Sequence, residues 1–313
     1  MVSAFVFPGQ GSQAVGMGRE LALAFPVARH LFEEVDDALR QNLARLMFEG
    51  PAEELTLTEN AQPALMAVSL AVLRVLETEG GIDITKAARY VAGHSLGEYS
   101  ALAAARTLSV ADTAWLLKTR GWAMQKAVPV GHGGMAALLG LELDVARDIA
   151  QKAAGDEVCT AANDNAPQQV VVSGHMSAVQ RAVELAAGIG AKRSIMLPVS
   201  APFHCELMQP AAVAMAEAFE RVAFHPPVVP LVANVTASEV VDPGEIRHLL
   251  VEQITSAVRW RESVLYLKDR GVTELVEIGS GKILTGLTKR ISKDLSGTAI
   301  NTPQDIEAFL KRS

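Results

Sequence analysis

The chain has 313 residues, 50% hydrophobic and 20% charged, enough for one large core or two and unlike a disordered or fibrous chain. With 28 Lys and Arg against 35 Asp and Glu, its formal net charge is −7, which excludes nucleic-acid binding by overall charge. Two cysteines, Cys159 and Cys205, lack metal-ligand spacing, so neither a metal site nor a disulfide framework is expected and a reducing, cytoplasmic compartment is.

The N-terminal run Met1-Val2-Ser3-Ala4-Phe5 lacks the basic start of a signal peptide. The most apolar helical stretch, Ala64 to Leu76, is interrupted by Arg74 and reads as too short to span a bilayer, so no membrane role is expected.

Ala4 to Phe7 reads as a buried strand running into the loop Pro8-Gly9-Gln10-Gly11-Ser12-Gln13, then a helix from Gly18 to Phe25. Gly9 to Ala14 formally fits the dinucleotide pattern G-x-G-x-x-A, but the acidic residue that should end a second strand is missing. Glu33, Glu34 and Asp36 sit instead in a helical pattern with Leu31, Phe32, Val35 and Leu39. The alternative is that this loop lends a backbone N–H, that of Gln10, to an oxyanion site. Leu43 to Phe48 is a short helix stopped by Gly50-Pro51. Thr58, Glu59 and Asn60 read as a polar cap before Gln62-Pro63, starting a long helix from Ala61 to Glu79.

Arg89 to Ala92 is β-prone and leads into Gly93-His94-Ser95-Leu96-Gly97, after which Glu98 to Ala105 is a small-residue helical run. Strand, Gly-x-Ser-x-Gly turn and helix together make a nucleophile elbow. The glycines allow the sharp reversal. The following helix aims free N–H groups at the serine, so Leu96 N–H is the expected first oxyanion donor. A further helix, Thr113 to Ala127, follows Ser109.

Between Gly133 and Val199 the pattern changes. Strands are expected at 134–139, 158–162, 169–173 and 192–197, with helices at 144–154 and 177–187 and a polar turn over Asn163 to Pro167. That β-α-β-β-α-β order is the ferredoxin-like module. The predicted fold is therefore α/β: an α/β-hydrolase-like large domain with a mostly parallel sheet, residues 1–130 and 199–313, interrupted by an inserted ferredoxin-like small domain, residues 131–198.

Beyond it, a helix from Glu206 to Val222, a strand from Val228 to Val232, helices over 242–254 and 260–271, a strand at 274–278 and a helix at 283–291 are expected. Gly279-Ser280-Gly281-Lys282 imitates a phosphate loop, but Val276 and Ile283 break the full pattern, so no nucleoside triphosphate is implied.

A serine hydroxyl needs a base within hydrogen-bond reach. Of seven histidines, His204 stands out because it lies in an irregular stretch between strand and helix, although the residues alone leave it first among several. A hydrolase order of Ser, acid, His selects Ser95, Asp242 and His248 instead.

The chain resembles the malonyl-CoA:acyl-carrier-protein transacylases of fatty acid synthesis in Phe7 to Gln13, Gly93 to Tyr99, Arg120-Gly121 with Met124-Gln125, Asn163 to Pro167, Pro202-Phe203-His204, Asn234-Val235-Thr236 and Glu277-Ile278-Gly279. These segments span nearly the whole chain in family order. The resemblance implies a malonyl-serine at Ser95 with His204 as base and then acid. It implies that a backbone carbonyl, that of Gln253, orients the histidine, and that Leu96 and Gln10 N–H groups form the oxyanion hole. Arg120 would hold the malonyl carboxylate, with Met124, Asn163 and Phe203 also at the substrate. A planar guanidinium suits that task because it grips a carboxylate through two parallel bonds.

The implied partners are malonyl-CoA and a phosphopantetheinylated, acidic acyl carrier protein, with no further cofactor and a monomeric enzyme. Lys282, Lys289, Arg290 and Lys293, with Lys192 and Arg193, are the candidate basic patch for the carrier. Polyketide and malonate-decarboxylase acyltransferases would share this chemistry and differ in the carrier served.

Overall fold

A computed structural model describes residues 2–312; Met1 and Ser313, the ends of the expected large domain, lie outside the described residues. The chain forms strands β1 (Ser3–Phe7), β2 (Tyr90–Gly93), β3 (Gly133–Leu139), β4 (Cys159–Ala166), β5 (Gln169–His175), β6 (Arg193–Met196), β7 (Leu231–Val232), β8 (Glu239–Val240), β9 (Glu274–Ile278) and β10 (Ser296–Ile300). Six of them make one sheet in the order β10-β9-β1-β2-β7-β8, parallel throughout except for β8. β3 to β6 make a separate antiparallel sheet in the order β4-β5-β3-β6.

Side chains alternate across a strand, and β1 shows what that does here. Phe5 and Phe7 point into one core with the buried helices Thr58–Thr78, Gly97–Ala104 and Val110–Ala127. Ala4 and Val6 point into a second core with Trp260, Val264 and Leu287. Both faces of the sheet are covered, which is why β1 from Ala4 to Phe7 and β2 from Tyr90 to Ala92 are buried on both sides and run without a charged residue.

The antiparallel sheet has its own core, where Ala136, Leu138, Val170 and Val172 meet Ile149 and Val179 from its two helices. Its other face turns Met135 and Val171 toward the large core. Strand β4 is tied to the rest of the chain: Asp164 N donates to Val258 O at 3.0 Å and Val258 N to Ala162 O at 2.9 Å. The Asp164 carboxylate also pairs with Arg261 at 2.9–3.0 Å.

The structure corrects the reading at several elements. The expected turn from Asn163 to Pro167 is strand as far as Ala166, with bulges beside Asn163 and Asp164. The polar side chains here look like turn formers, but Asp164 pairs across the chain with Arg261 and Asn165 with His94. The long helix starts at Thr58, not after it, so Pro63 lies inside the helix and Thr58 makes no cap. With 21 residues this helix is long and apolar enough to cross a membrane by length and composition, yet 83% of its most apolar window is buried inside the protein. A core helix of a large α/β layer meets the same composition rule.

Only Leu231–Val232 of the expected 228–232 strand pairs in the sheet, and the unread β8 folds back on it. Strand β10 and helix Pro303–Leu310 were not expected either; in Ser296–Ile300 the poor strand formers Gly297 and Ala299 hide the strand pattern. Short helices Ala52–Thr56 and Ile84–Ala87 also went unread.

Candidate active site

Ser95 sits between β2 and helix Gly97–Ala104 with φ of 54°, a left-handed backbone unusual for a residue with a Cβ. The turn is held from two sides: His94 N donates to Phe7 O at 3.0 Å, and Ser95 N donates to Asn234 Oδ1 at 2.8 Å. A Cβ at Gly93 would fall inside the backbone of Gly97, and one at Gly97 would overlap Phe7 O. Both elbow glycines are therefore required by close approach.

Ser95 Oγ lies 2.7 Å from His204 Nε2. The histidine's other nitrogen, Nδ1, is 2.9 Å from Gln253 O. A carbonyl only accepts, so Nδ1 carries the proton and Nε2 is left to accept from the Ser95 hydroxyl. Gln253 is the last residue of helix Pro243–Gln253, and last-turn carbonyls lack an intrahelical donor. Burial, reinforced by the Arg120 charge, pushes the His204 pKa down to about 3, so the imidazole is neutral and available as a base.

Arg120 projects from helix Val110–Ala127 and is 1% exposed. Its guanidinium donates to Ser95 Oγ at 3.1 Å, to Gln62 Oε1 at 2.8 Å and to Gln253 Oε1 at 2.9 Å, and stacks 5.5 Å from the Tyr99 ring centre. Its buried Nε has no acceptor. A desolvated cation with a spare donor beside a nucleophile suits an anionic group.

A cleft of about 410 Å³ opens over these groups, lined by Gln10, Asn163, Asn165, Val171, Phe203 and His204 among others. The antiparallel sheet supplies its roof, and His94 Nε2 lies 2.8 Å from Asn165 Oδ1 across the two sheets. Gln10 and Asn163 thus reach the cleft. Leu96 is buried at the N-terminal end of helix Gly97–Ala104, where N–H groups lack intrahelical acceptors. Met124 is not a wall of the cleft: it is buried behind it, with its sulfur accepting from Gln62 Nε2 at 3.8 Å. Its neighbour in sequence, Gln125, is held by Ser200.

The rival triad does not assemble. Asp242 caps a helix by accepting from Glu245 N at 2.8 Å, and His248 is exposed with Glu252 3.9 Å away. The Gly9 loop is packed against the elbow, where a Cβ on Gly9 would come within 2.7 Å of His94 O. Cys159 and Cys205 are both free and buried.

Four supporting groups were not singled out from the sequence: Gln62, Glu98, Asn234 and the Gln253 side chain. Glu98 is 1% exposed, and burial pushes its carboxyl up to about 7. The available signal was a polar residue inside a helix buried all round, as Gln62 is in Thr58–Thr78 and Glu98 in Gly97–Ala104.

A serine held against a neutral histidine at a strand–helix elbow, with a buried cation beside them, defines an enzyme of acyl transfer. The chain belongs to the acyl transferase domain family, whose model matches residues 4–300. It is 46% identical over 309 residues to the malonyl CoA-acyl carrier protein transacylase of Bacillus subtilis strain 168, covering 98% of this chain and 96% of that one. Against the Escherichia coli K12 protein of the same name the identity is 45%, with 98% of both covered. Among solved structures, the acyl-carrier-protein-S-malonyltransferase of Bartonella henselae superimposes with a TM-score of 0.97 at 54% identity, covering 100% of this chain and 99% of that one. A malonyl-transacylase solved in complex with a type II PKS acyl-carrier protein matches with a TM-score of 0.96 at 42% identity, covering 100% of each chain.

Proposed function

We propose that this acyltransferase moves the malonyl group from malonyl-CoA to the phosphopantetheine thiol of an acyl carrier protein through a malonyl-serine at Ser95. In the first half-reaction His204 Nε2 takes the Ser95 proton as Oγ attacks the thioester carbonyl. The C–S bond breaks, and the imidazolium returns the proton to the leaving coenzyme A thiolate. In the second, the carrier thiol gives its proton to Nε2, attacks the acyl-serine carbonyl and leaves Ser95 Oγ to recover the proton. Developing charge on the carbonyl oxygen would meet the backbone N–H groups of Leu96 and Gln10. Arg120 would receive the free carboxylate. Asn163 and Phe203 border the acyl group, while Met124 acts only through Gln62. The cycle calls for no cofactor beyond the two substrates.

The observation that carries this reading is the placement of Arg120, a buried guanidinium in the wall of the cleft that donates to the nucleophile Ser95 Oγ at 3.1 Å. An acetyl group would leave that cation unanswered, whereas malonyl supplies its counter-charge. The names of the relatives agree with it, and the carrier complex of one structural neighbour supports a carrier as second substrate.

Division into 1–130 with 199–313 and an inserted 131–198 belongs to the same reading, since the cleft lies between the two sheets. For the acidic carrier the basic patch is supported by position. Lys289 and Arg290 are exposed, Arg290 donates to Gln169 Oε1 at 2.7 Å, and Leu139 links Gln169 to Arg193 across the small sheet. The two free thiols support a reducing compartment, the cytoplasm, where we place the enzyme as a monomer. Mass spectrometry after mixing with malonyl-CoA tests the proposal: a malonyl adduct is expected on the Ser95 peptide, and its absence overturns the reading.

A further inference from the structure

Resting on that reading, we propose that Glu98 is a positioning residue that decides which end of the Gln253 amide faces Arg120, and so sets the enzyme's preference for a carboxylate-bearing acyl group. The side chain of Gln253 is fully buried between two opposite charges. Its Oε1 accepts from Arg120 at 2.9 Å. Its Nε2 faces acceptors only: Glu98 Oε2 at 2.9 Å, Ser95 O at 3.1 Å and Asn234 Oδ1 at 3.4 Å. Turning the amide over would set an NH2 group against the guanidinium and an oxygen against three oxygens. Neither end has water to turn to instead.

All three acceptors take a second donor, Glu98 N at 3.0 Å from Ser95 O and Ser95 N at 2.8 Å from Asn234 Oδ1 among them. Glu98 Oε2 makes the shortest contact with the amide and belongs to the one carboxyl group of the three, so Glu98 is the group that most specifies the amide. Its own Oε2 is fixed because Asn234 N donates to the same atom at 3.0 Å. Two donors converging on one oxygen also mean that a proton taken up by Glu98 belongs on Oε1, leaving Oε2 an acceptor. Glu98 touches neither Ser95 Oγ nor the cleft, so it acts through Gln253 and Arg120.

The test compares malonyl with acetyl transfer in folded variants. Glu98→Gln keeps an oxygen where Asn234 N and Gln253 Nε2 require one, and its malonyl-to-acetyl ratio should stay within about threefold of wild type. Glu98→Met removes the acceptor, and Glu98→Asp withdraws it by one methylene. In both the ratio should fall by about tenfold, through a higher KM for malonyl-CoA with acetyl kcat/KM little changed. Glu98→Asp preserves the result if the methionine variant does not fold. A merely structural role would lower both transfers alike and leave the ratio untouched, and either that result or a tenfold loss in Glu98→Gln overturns the proposal. Wild-type enzyme that forms no malonyl adduct overturns the functional reading itself, whereas a normal wild-type adduct with an unchanged ratio in both acceptor-less variants removes only the role of Glu98.

Discussion

Ser95 and His204 stand 109 residues apart in sequence, yet their reactive atoms are 2.7 Å apart and both backbones take left-handed φ, 54° and 61°. Such a conformation costs on the order of 1–3 kcal/mol per non-glycine residue, so the surrounding fold must impose it twice. The imposition is visible in Asn234, which binds Ser95 N and Gly93 O, and in Gln253, whose carbonyl fixes the imidazole.

Removing either partner should abolish or cripple acylation. Ser95→Ala should form no malonyl adduct, and His204→Ala should acylate about 10²–10⁴-fold more slowly, the usual contribution of a general base. His248→Ala should match wild type, since His248 points to solvent. Stopped-flow acylation by malonyl-CoA reads all three, and loss confined to His248→Ala would return the Asp242 triad.

Arg120→Ala should lower malonyl transfer by about 10–150-fold, the equivalent of one charge-assisted hydrogen bond, with a smaller change for acetyl-CoA. The variant also strands Gln62 Oε1 and Gln253 Oε1, so a lower melting temperature should accompany the loss. Equal losses for both acyl groups would remove Arg120 as the carboxylate's partner.

The depressed pKa of His204 has a defined sign. A base must be neutral, and with its pKa pushed down to about 3 from an ordinary 6.5 it stays neutral across that interval. Acylation should show no loss centred near pH 6.5 while the protein remains folded. Folding stability from this group runs the same way: the unfolded chain takes up the proton first, so stability is present above 6.5 and declines as pH falls toward 3. Arg120→Met removes one of the depressing causes, the second after burial, so the acid limb of acetyl transfer should move upward in that variant.

Gly97→Ala should be far more damaging than an ordinary helix substitution, which would favour alanine. The new methyl overlaps Phe7 O and lies 2.8 Å from Pro8 O, so β1 and the elbow must separate. A loss of at least about 1–3 kcal/mol in denaturant melts is expected, with acylation falling alongside.

Charge reversal at Lys289 and Arg290 should leave the Ser95 adduct unaffected and raise the KM for carrier by about three- to tenfold, since exposed charges each contribute modestly. Added salt should shrink the difference. Carrier transfer indifferent to both reversals would move the docking surface elsewhere.

What the amino-acid order determined by itself was local. Apolar alternation in Ala4 to Phe7, the Gly-x-Ser-x-Gly turn and the β-α-β-β-α-β run each depend on neighbouring residues, so the α/β frame, its elbow and its ferredoxin-like insertion were all legible. Asn163, Asp164 and Asn165 were misread as a turn because the strand they form is stabilised from outside it, by Arg261, Val258 and His94. Which histidine meets Ser95, and that Gln62, Glu98 and the Gln253 amide surround Arg120, were settled only when four helices and two sheets closed on one point. Burial is the physical reason: in water these polar groups would be satisfied singly and without preference, but once enclosed each accepts only the partner that completes its hydrogen bonds.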